Sequence, residues 1–273
     1  MSDQSPASLP SFRSPPLVEV ALGFFLADPT EFSYAHVGKF WSTLEPEFPT
    51  VRDVDPVSMS VEDSDGAPVS PTEVPLFPRI WMMDRDEQYL VQIQRNAFFL
   101  NWRPGKENAA YPRFPAVFHR FNDLRRRYAR FMADAASPLG RTEQLELTYI
   151  NHIPEESISG SEGLAWAVLD DLRPPTRKRW LNRPDRLALA TSFRLPDDAG
   201  RLYIRAQTAI GRRTRANLVS LTLTAKANVS DVQDSDIVRR WYETAHSWIV
   251  RGFEDVTTRM AREAWGEERQ VDG

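Results

Sequence analysis

The most concentrated polar chemistry in this chain lies in two short runs, Gln92-Ile93-Gln94 and Asn101-Trp102-Arg103. An amide side chain both donates and accepts hydrogen bonds, whereas a guanidinium only donates and keeps its charge at every physiological pH. Such a set grips a carboxylate, another amide or a peptide group, but it has no member that gives or takes a proton near neutrality. If both runs are strands, alternation puts Gln92, Gln94, Asn101 and Arg103 on one sheet face and turns Trp102 to the other. Polar groups there either form a buried hydrogen-bond network or line a ligand groove. Glu19 and Glu146, each inside an apolar run, are the carboxylates placed to complete the cluster. An enzyme would have to use a dispersed acid/base set, for which Glu19, Glu146, Arg103 and Tyr149 are the candidates.

Other chemistries lack their residues. The four histidines, His36, His119, His152 and His246, fall on separate elements with no metal-ligand spacing, so no metal site is expected. With no cysteine there is no thiolate ligand, thiol nucleophile or disulfide. No Gly-rich loop precedes a helix and no G-x-S-x-G elbow occurs, which disfavours nucleotides, phosphate cofactors and a hydrolase serine. No cofactor is expected. Asp170-Asp171 closes a short helix, where neighbouring side chains diverge, and reads as solvated.

Charge is uneven along the chain. Residues 1–75 hold twelve acids against three bases, and residues 173–215 hold twelve bases against three acids. Two explanations compete: attraction within the molecule, or an anionic partner such as nucleic acid. For the second, Lys178, Arg179, Arg212, Arg213 and Arg215 are the anion-binding candidates. The acidic overall pI of about 5.7 argues against a dedicated nucleic-acid module. A dispersed basic surface with weak, salt-sensitive binding is expected.

These residues need elements to hold them. Leu17 to Leu26 reads as a strand, and Phe32, His36, Phe40 and Leu44 as a short helix closed by Pro46. Prolines fill residues 49 to 78, which read mostly as loop with one short strand near Ser58 to Glu62. Arg79 to Met83, Tyr89 to Gln94 and Ala97 to Arg103 form an antiparallel meander, followed by a helix to about Ala136. The second half repeats the order. Gln144 to Ile153 is a strand and Leu164 to Leu172 a short helix; Arg186 to Leu195, Arg201 to Ile210 and Asn217 to Ala227 form a meander. Asp236 to Trp265 is the longest helix, with Ile237, Trp241, Ala245, Trp248, Phe253, Val256 and Met260 inward.

The expected fold is α+β, with two structurally similar halves, residues 15–136 and 141–267, packed as one compact unit behind a disordered tail at residues 1–14. This order resembles the half-repeats of TATA-binding-protein-like and helix-grip folds, a likeness of fold and not of function. No run approaches the roughly 18 apolar residues of a membrane span, and the Ser/Pro-rich start lacks a secretory pattern. A cytoplasmic protein with no membrane partner is expected.

Pro15-Pro16-Leu17-Val18-Glu19-Val20, Gln92-Ile93-Gln94 with Asn101-Trp102-Arg103, Tyr111-Pro112 and Trp265-Gly266 resemble a sporadically distributed family of uncharacterised bacterial proteins of similar length. The resemblance implies no established activity, cofactor or catalytic residue. Its patchy distribution implies an accessory gene, as in defence or toxin-immunity systems. The leading functional expectation is a non-enzymatic protein-binding or assembly component. The alternatives are a nucleic-acid-binding component acting through residues 173–215 and an enzyme with the dispersed site named above.

Overall fold

Val, Leu and Phe dominate the runs that become strands, because β-branched and aromatic side chains fill a half-buried pleated surface. The computed structural model describes residues 9–27, 33–57, 61–62, 68–69, 78–135, 138–154, 168–170, 186–211, 214–229 and 235–268. It is a mixed α+β protein with a large antiparallel sheet. The described residues fall into two compact units. Glu19–Leu147 with Lys226–Arg240 make the first; Met1–Val18, Thr148–Ala225 and Trp241–Gly273 make the second.

In chain order the strands are β1 (Ser11–Phe12), β2 (Leu17–Leu26), β3 (Thr50–Val54), β4 (Val61–Glu62), β5 (Pro68–Val69), β6 (Arg79–Met83) and β7 (Tyr89–Gln94). They continue as β8 (Ala97–Trp102), β9 (Thr142–Pro154), β10 (Ala188–Arg194), β11 (Arg201–Ile210), β12 (Asn217–Asn228) and β13 (Glu267–Glu268). The helices are α1 (Tyr34–Leu44), α2 (Phe114–Ala135), α3 (Ser235–Val256) and α4 (Arg259–Ala264).

In the first unit the strand order is β9-β2-β8-β7-β6-β3. Val20 pairs with Trp102, Gly23 with Phe99, Gln92 with Phe99 and Trp81 with Gln92, so alternation gives the sheet two unlike faces. One face is apolar, with Leu22, Phe98, Leu100, Trp102, Val91 and Met82 all buried. It packs on α1 and α2: the Phe98 ring stacks on Tyr128 at 5.1 Å, and Phe40 meets Tyr128 at 5.2 Å. α2 buries Phe114, Val117, Phe121, Leu124, Tyr128 and Met132, the three-and-four spacing of one helix face. The other face carries Glu19, Asn101, Arg103, Gln92, Gln94 and Trp81. β3 stands where loop was expected; its pairs with β6 run from Thr50 opposite Met83 to Val54 opposite Arg79. Val51 and Val54 are ordinary strand residues, but the surrounding prolines mask them in the sequence.

In the second unit the order is β10-β11-β12-β9. α3 lies on Leu202, Ile204 and Leu223, and a Cβ placed on Gly252 would sit 3.0 Å from Leu202 Cδ2. The long helix expected to reach Trp265 breaks after Val256. Thr257 Oγ1 turns back to donate to Phe253 O at 2.6 Å, and Thr258 caps α4 by accepting from Ala261 N. Ile237 and Met260, expected inward, are exposed; the buried positions of α3 are Val238, Trp241, Tyr242, Ala245, Ile249, Phe253 and Val256. Residues 9–14, expected as part of a disordered tail, are structured. β1 pairs with β13, and Phe12 buries its ring 5.4 Å from Phe253 and 6.4 Å from Trp265. Backbone pairing holds the stretch together with that ring: Arg13 N donates to Gly266 O and Ser14 N to Trp265 O, both at 3.0 Å. The expected helix at Leu164 to Leu172 lies mostly outside the described residues.

Gly23 tests how tightly the polar face is packed. A Cβ there would run into the ring of Phe99. Gly23→Ala is expected to destabilise by about 3 kcal/mol, and Gly23→Ala with Phe99→Ala to recover part of that loss in denaturant melts.

Candidate functional site

On the polar face of the first unit, side chains from β2, β8, β7 and β6 join into one hydrogen-bonded seam. Arg79 Nη1 donates to Gln92 Oε1 at 2.7 Å, and Trp81 Nε1 donates to the same oxygen at 3.0 Å. Gln92 Nε2 donates to Asn101 Oδ1, and Asn101 Nδ2 donates to Glu19 Oε1. Arg103 closes the seam on the same carboxylate, from Nε at 3.0 Å to Oε2 and from Nη2 at 3.3 Å to Oε1. The polarity follows from the ends. Arginine and indole can only donate and an ionised carboxylate only accepts, so both amides must turn their oxygens toward Arg79 and their nitrogens toward Glu19. Gln92 and Asn101 are 6% and 3% exposed, so neither amide has water as a substitute partner.

Two cations share the seam with one carboxylate. Arg79 and Arg103 hold their guanidinium carbons 5.5 Å and 5.3 Å from the Trp81 ring, close enough for cation–π attraction. Burial pulls Arg79 below the ordinary arginine value, Glu19 opposes that shift and Arg103 adds to it. Arg79 Nε is buried and has no hydrogen-bond partner.

The other expected site residues go elsewhere. Gln94 is 3% exposed and works on the backbone: Nε2 donates to Val57 O at 2.7 Å and Oε1 accepts from Val57 N at 3.0 Å. This pins Val57 beside Phe25, Ala97 and Phe99. Glu146 pairs with Lys226 at 3.0 Å. Tyr149 is hydrogen-bonded to His246 Nδ1 at 3.0 Å, and burial pushes His246 down to about 4. The dispersed acid/base set is therefore split between separate partners. Of the other histidines, His36 accepts from Ser33 N at 3.2 Å at the start of α1, while His119 and His152 are exposed. Arg215 is exposed in the turn after Gly211, with φ of 57°. Lys178, Arg179, Arg212 and Arg213 lie outside the described residues. Among the described residues no group of three or more His, Cys, Asp or Glu is placed to hold a metal ion, and no helix is long and apolar enough to cross a membrane.

The second unit contains a feature that sequence reasoning missed. Phe193, Leu202, Ile204 and Trp248 line a groove of about 360 Å³ between β10, β11 and α3, with exposed Arg251 and Asp255 at its rim. Phe193 is 44% exposed, unusual for so large an apolar ring. The signal was Gly252. Glycine inside a helix costs about 1 kcal/mol against alanine, so its presence marks a close approach, here to Leu202. The seam can hold but not react, and the groove can take an apolar side chain.

No protein-family model, curated protein or solved structure matches the chain.

Two outcomes follow. Asn101→Leu leaves Gln92 Nε2 and a Glu19 oxygen short of a partner and is expected to cost about 3 kcal/mol. Gln92→Leu with Asn101→Leu should cost less than the two single losses together, read in a double-mutant cycle of denaturant melts. His246 is held neutral in the fold, so between its folded value of about 4 and the ordinary 6.5 the unfolded chain binds the extra proton. Its contribution is complete above that window and falls as pH drops, by about 2 kcal/mol at about pH 5. His246→Gln should flatten this part of the pH profile of unfolding.

Proposed function

We propose that the chain is a non-enzymatic protein-binding or assembly component, acting through the β10–β11–α3 surface of the second unit. The observation that carries this reading is the apolar groove beside the half-exposed Phe193. Exposed aromatic rings next to a concave apolar surface are the usual anchors of protein interfaces. The seam supports the non-enzymatic part: its carboxylate is engaged by Asn101 and Arg103, and its amides are engaged by each other. An accessory bacterial setting, in defence or toxin immunity, is part of the proposal and rests on the family resemblance. So is a duplicated, TATA-binding-protein-like or helix-grip-like descent; its support is that each unit contains an antiparallel meander, β6–β8 in one and β10–β12 in the other.

A second reading, nucleic-acid binding, has its own observation. Arg194 stands directly opposite Arg201, and Arg205 shares their face of the β10–β11 hairpin. Several cations gathered on one sheet face are the pattern that a phosphate backbone neutralises.

The two readings separate in one set of assays. In a pull-down from the native host, the wild-type chain is expected to retain a protein at fixed stoichiometry. The purified partner should then rebind in calorimetry, and Phe193→Asp should weaken it at least tenfold. Binding to generic DNA or RNA should be no tighter than about micromolar at physiological salt. Tight nucleic-acid binding abolished by replacing Arg194, Arg201 and Arg205 with alanine would overturn the protein-binding reading.

A further inference from the structure

Both ends of the strand order are edges, and they are built differently. β3 carries Arg52 and Asp53 at its centre, charges that keep a second strand from pairing there. β10 reads Ala-Leu-Ala-Thr-Ser-Phe-Arg: no proline, no lysine, one charge at its last position, and an unbroken register against β11 from Ala188 opposite Gln207 to Arg194 opposite Arg201. Among the described residues, no proline, bulge or covering element protects this edge against strand addition, and its one charge stands at the end of the strand.

The direction of its backbone groups is also fixed. Thr208 N donates to Leu187 O and Leu195 N to Gly200 O, so the odd-numbered residues from Leu187 to Leu195 aim their N–H and C=O at β11. Ala188, Ala190, Ser192 and Arg194 aim theirs outward, and no described strand pairs with them.

We infer that β10 pairs antiparallel with β10 of a second copy of this chain, about a two-fold axis at Thr191. In that register Ala190 hydrogen-bonds Ser192 of the other copy, Arg194 lies opposite Ala188, and Thr191 meets Thr191 at a non-hydrogen-bonded position. No like charges face each other, whereas parallel pairing would set Arg194 on Arg194. The same register lays Leu189 across from Phe193 on the groove side, which covers part of a ring left 44% exposed in one chain. Ala188, Ala190 and Ser192 on the opposite face are small and exposed, so no described side chain there blocks the approach. This inference rests on the assembly reading above and names one partner for that surface.

The chain has no cysteine, so single cysteines report the register without interference. Under mild oxidation Thr191→Cys is expected to give a covalent dimer in high yield, because cysteines directly opposite at a non-hydrogen-bonded pair meet disulfide geometry. Ala188→Cys, six residues out of register with itself, is expected to give little. Ala190→Pro removes one outward N–H and leaves the β11 ladder intact, a place where an edge strand tolerates proline. It should keep its circular dichroism spectrum while sedimentation equilibrium shows dimer dissociation at least tenfold easier than wild type. Three results would overturn the inference: a wild-type chain monomeric at every concentration, equal cross-linking by the two cysteine variants, or a dimer unchanged by Ala190→Pro. A monomeric chain that still binds its host partner through Phe193 would remove the second copy and leave the proposed function standing. A chain that dimerises as described but retains no host protein would do the reverse.

Discussion

The polar face of the first unit depends on the cost of an unmade hydrogen bond: a buried donor without an acceptor, or an acceptor without a donor, is penalised, and along the relay only Arg79 Nε is left so. Glu19 ends the chain of acceptors and Arg79 begins the chain of donors, so Gln92 and Asn101 have one permitted orientation each. A slip of any strand by one residue would turn its side chains to the opposite face and break the relay. The net gain from each hydrogen bond is modest, but the loss from an unmade one is large. Pairing β2, β8, β7 and β6 in any other register is therefore penalised, and the seam acts as a register key for the strands that also carry the apolar core on their reverse side.

Packing adds a second constraint on the same face. Gly23 lets the Phe99 ring lie against β2, and Gln94 fastens Val57 over Phe25, Ala97 and Phe99. An apolar patch and a polar relay thus share one sheet face, with Gln94 and Gln92 two residues apart in β7 serving one each. Trp81 links the two chemistries, donating to Gln92 through its nitrogen while its ring attracts Arg79 and Arg103. Its ring also covers cations that Glu19 alone does not neutralise.

Much of this was legible in the sequence for a physical reason. Period-two alternation in Tyr89–Gln94 and Ala97–Trp102 separates Gln92, Gln94 and Asn101 from Val91, Ile93 and Leu100 without knowledge of the fold. Glu19 was legible as a candidate because a carboxylate inside an apolar strand needs a partner. Glu146 met the same criterion and found Lys226 instead, since alternation assigns a face but not a neighbour. The break at Thr257 and Thr258 was hidden because the apolar stripe continues through Met260, and only the threonine side chains, bonding backward and capping forward, show that the ladder stops. β3 was hidden by composition. Its central charges and the flanking Pro49 and Pro56 suit an edge strand, where they do no harm, and read from sequence alone they look like loop.

The placement of polarity separates what must stay closed from what can stay open. In the first unit buried polar groups are consumed on central strands, where an incoming ligand would have to replace bonds already made. Tyr149 on β9 and His246 on α3 do likewise in the second unit, with the imidazole kept neutral by burial. The groove beside Phe193 is lined by Phe193, Leu202, Ile204 and Trp248 as well as by Arg251 and Asp255, so filling its apolar part displaces water from carbon surface. β10 next to it offers outward backbone groups that no described strand pairs with. A surface that gains from contact and a network that would lose from it obey opposite rules, and the proposed binding reading needs both: the first to take a partner, the second to keep the strand register fixed.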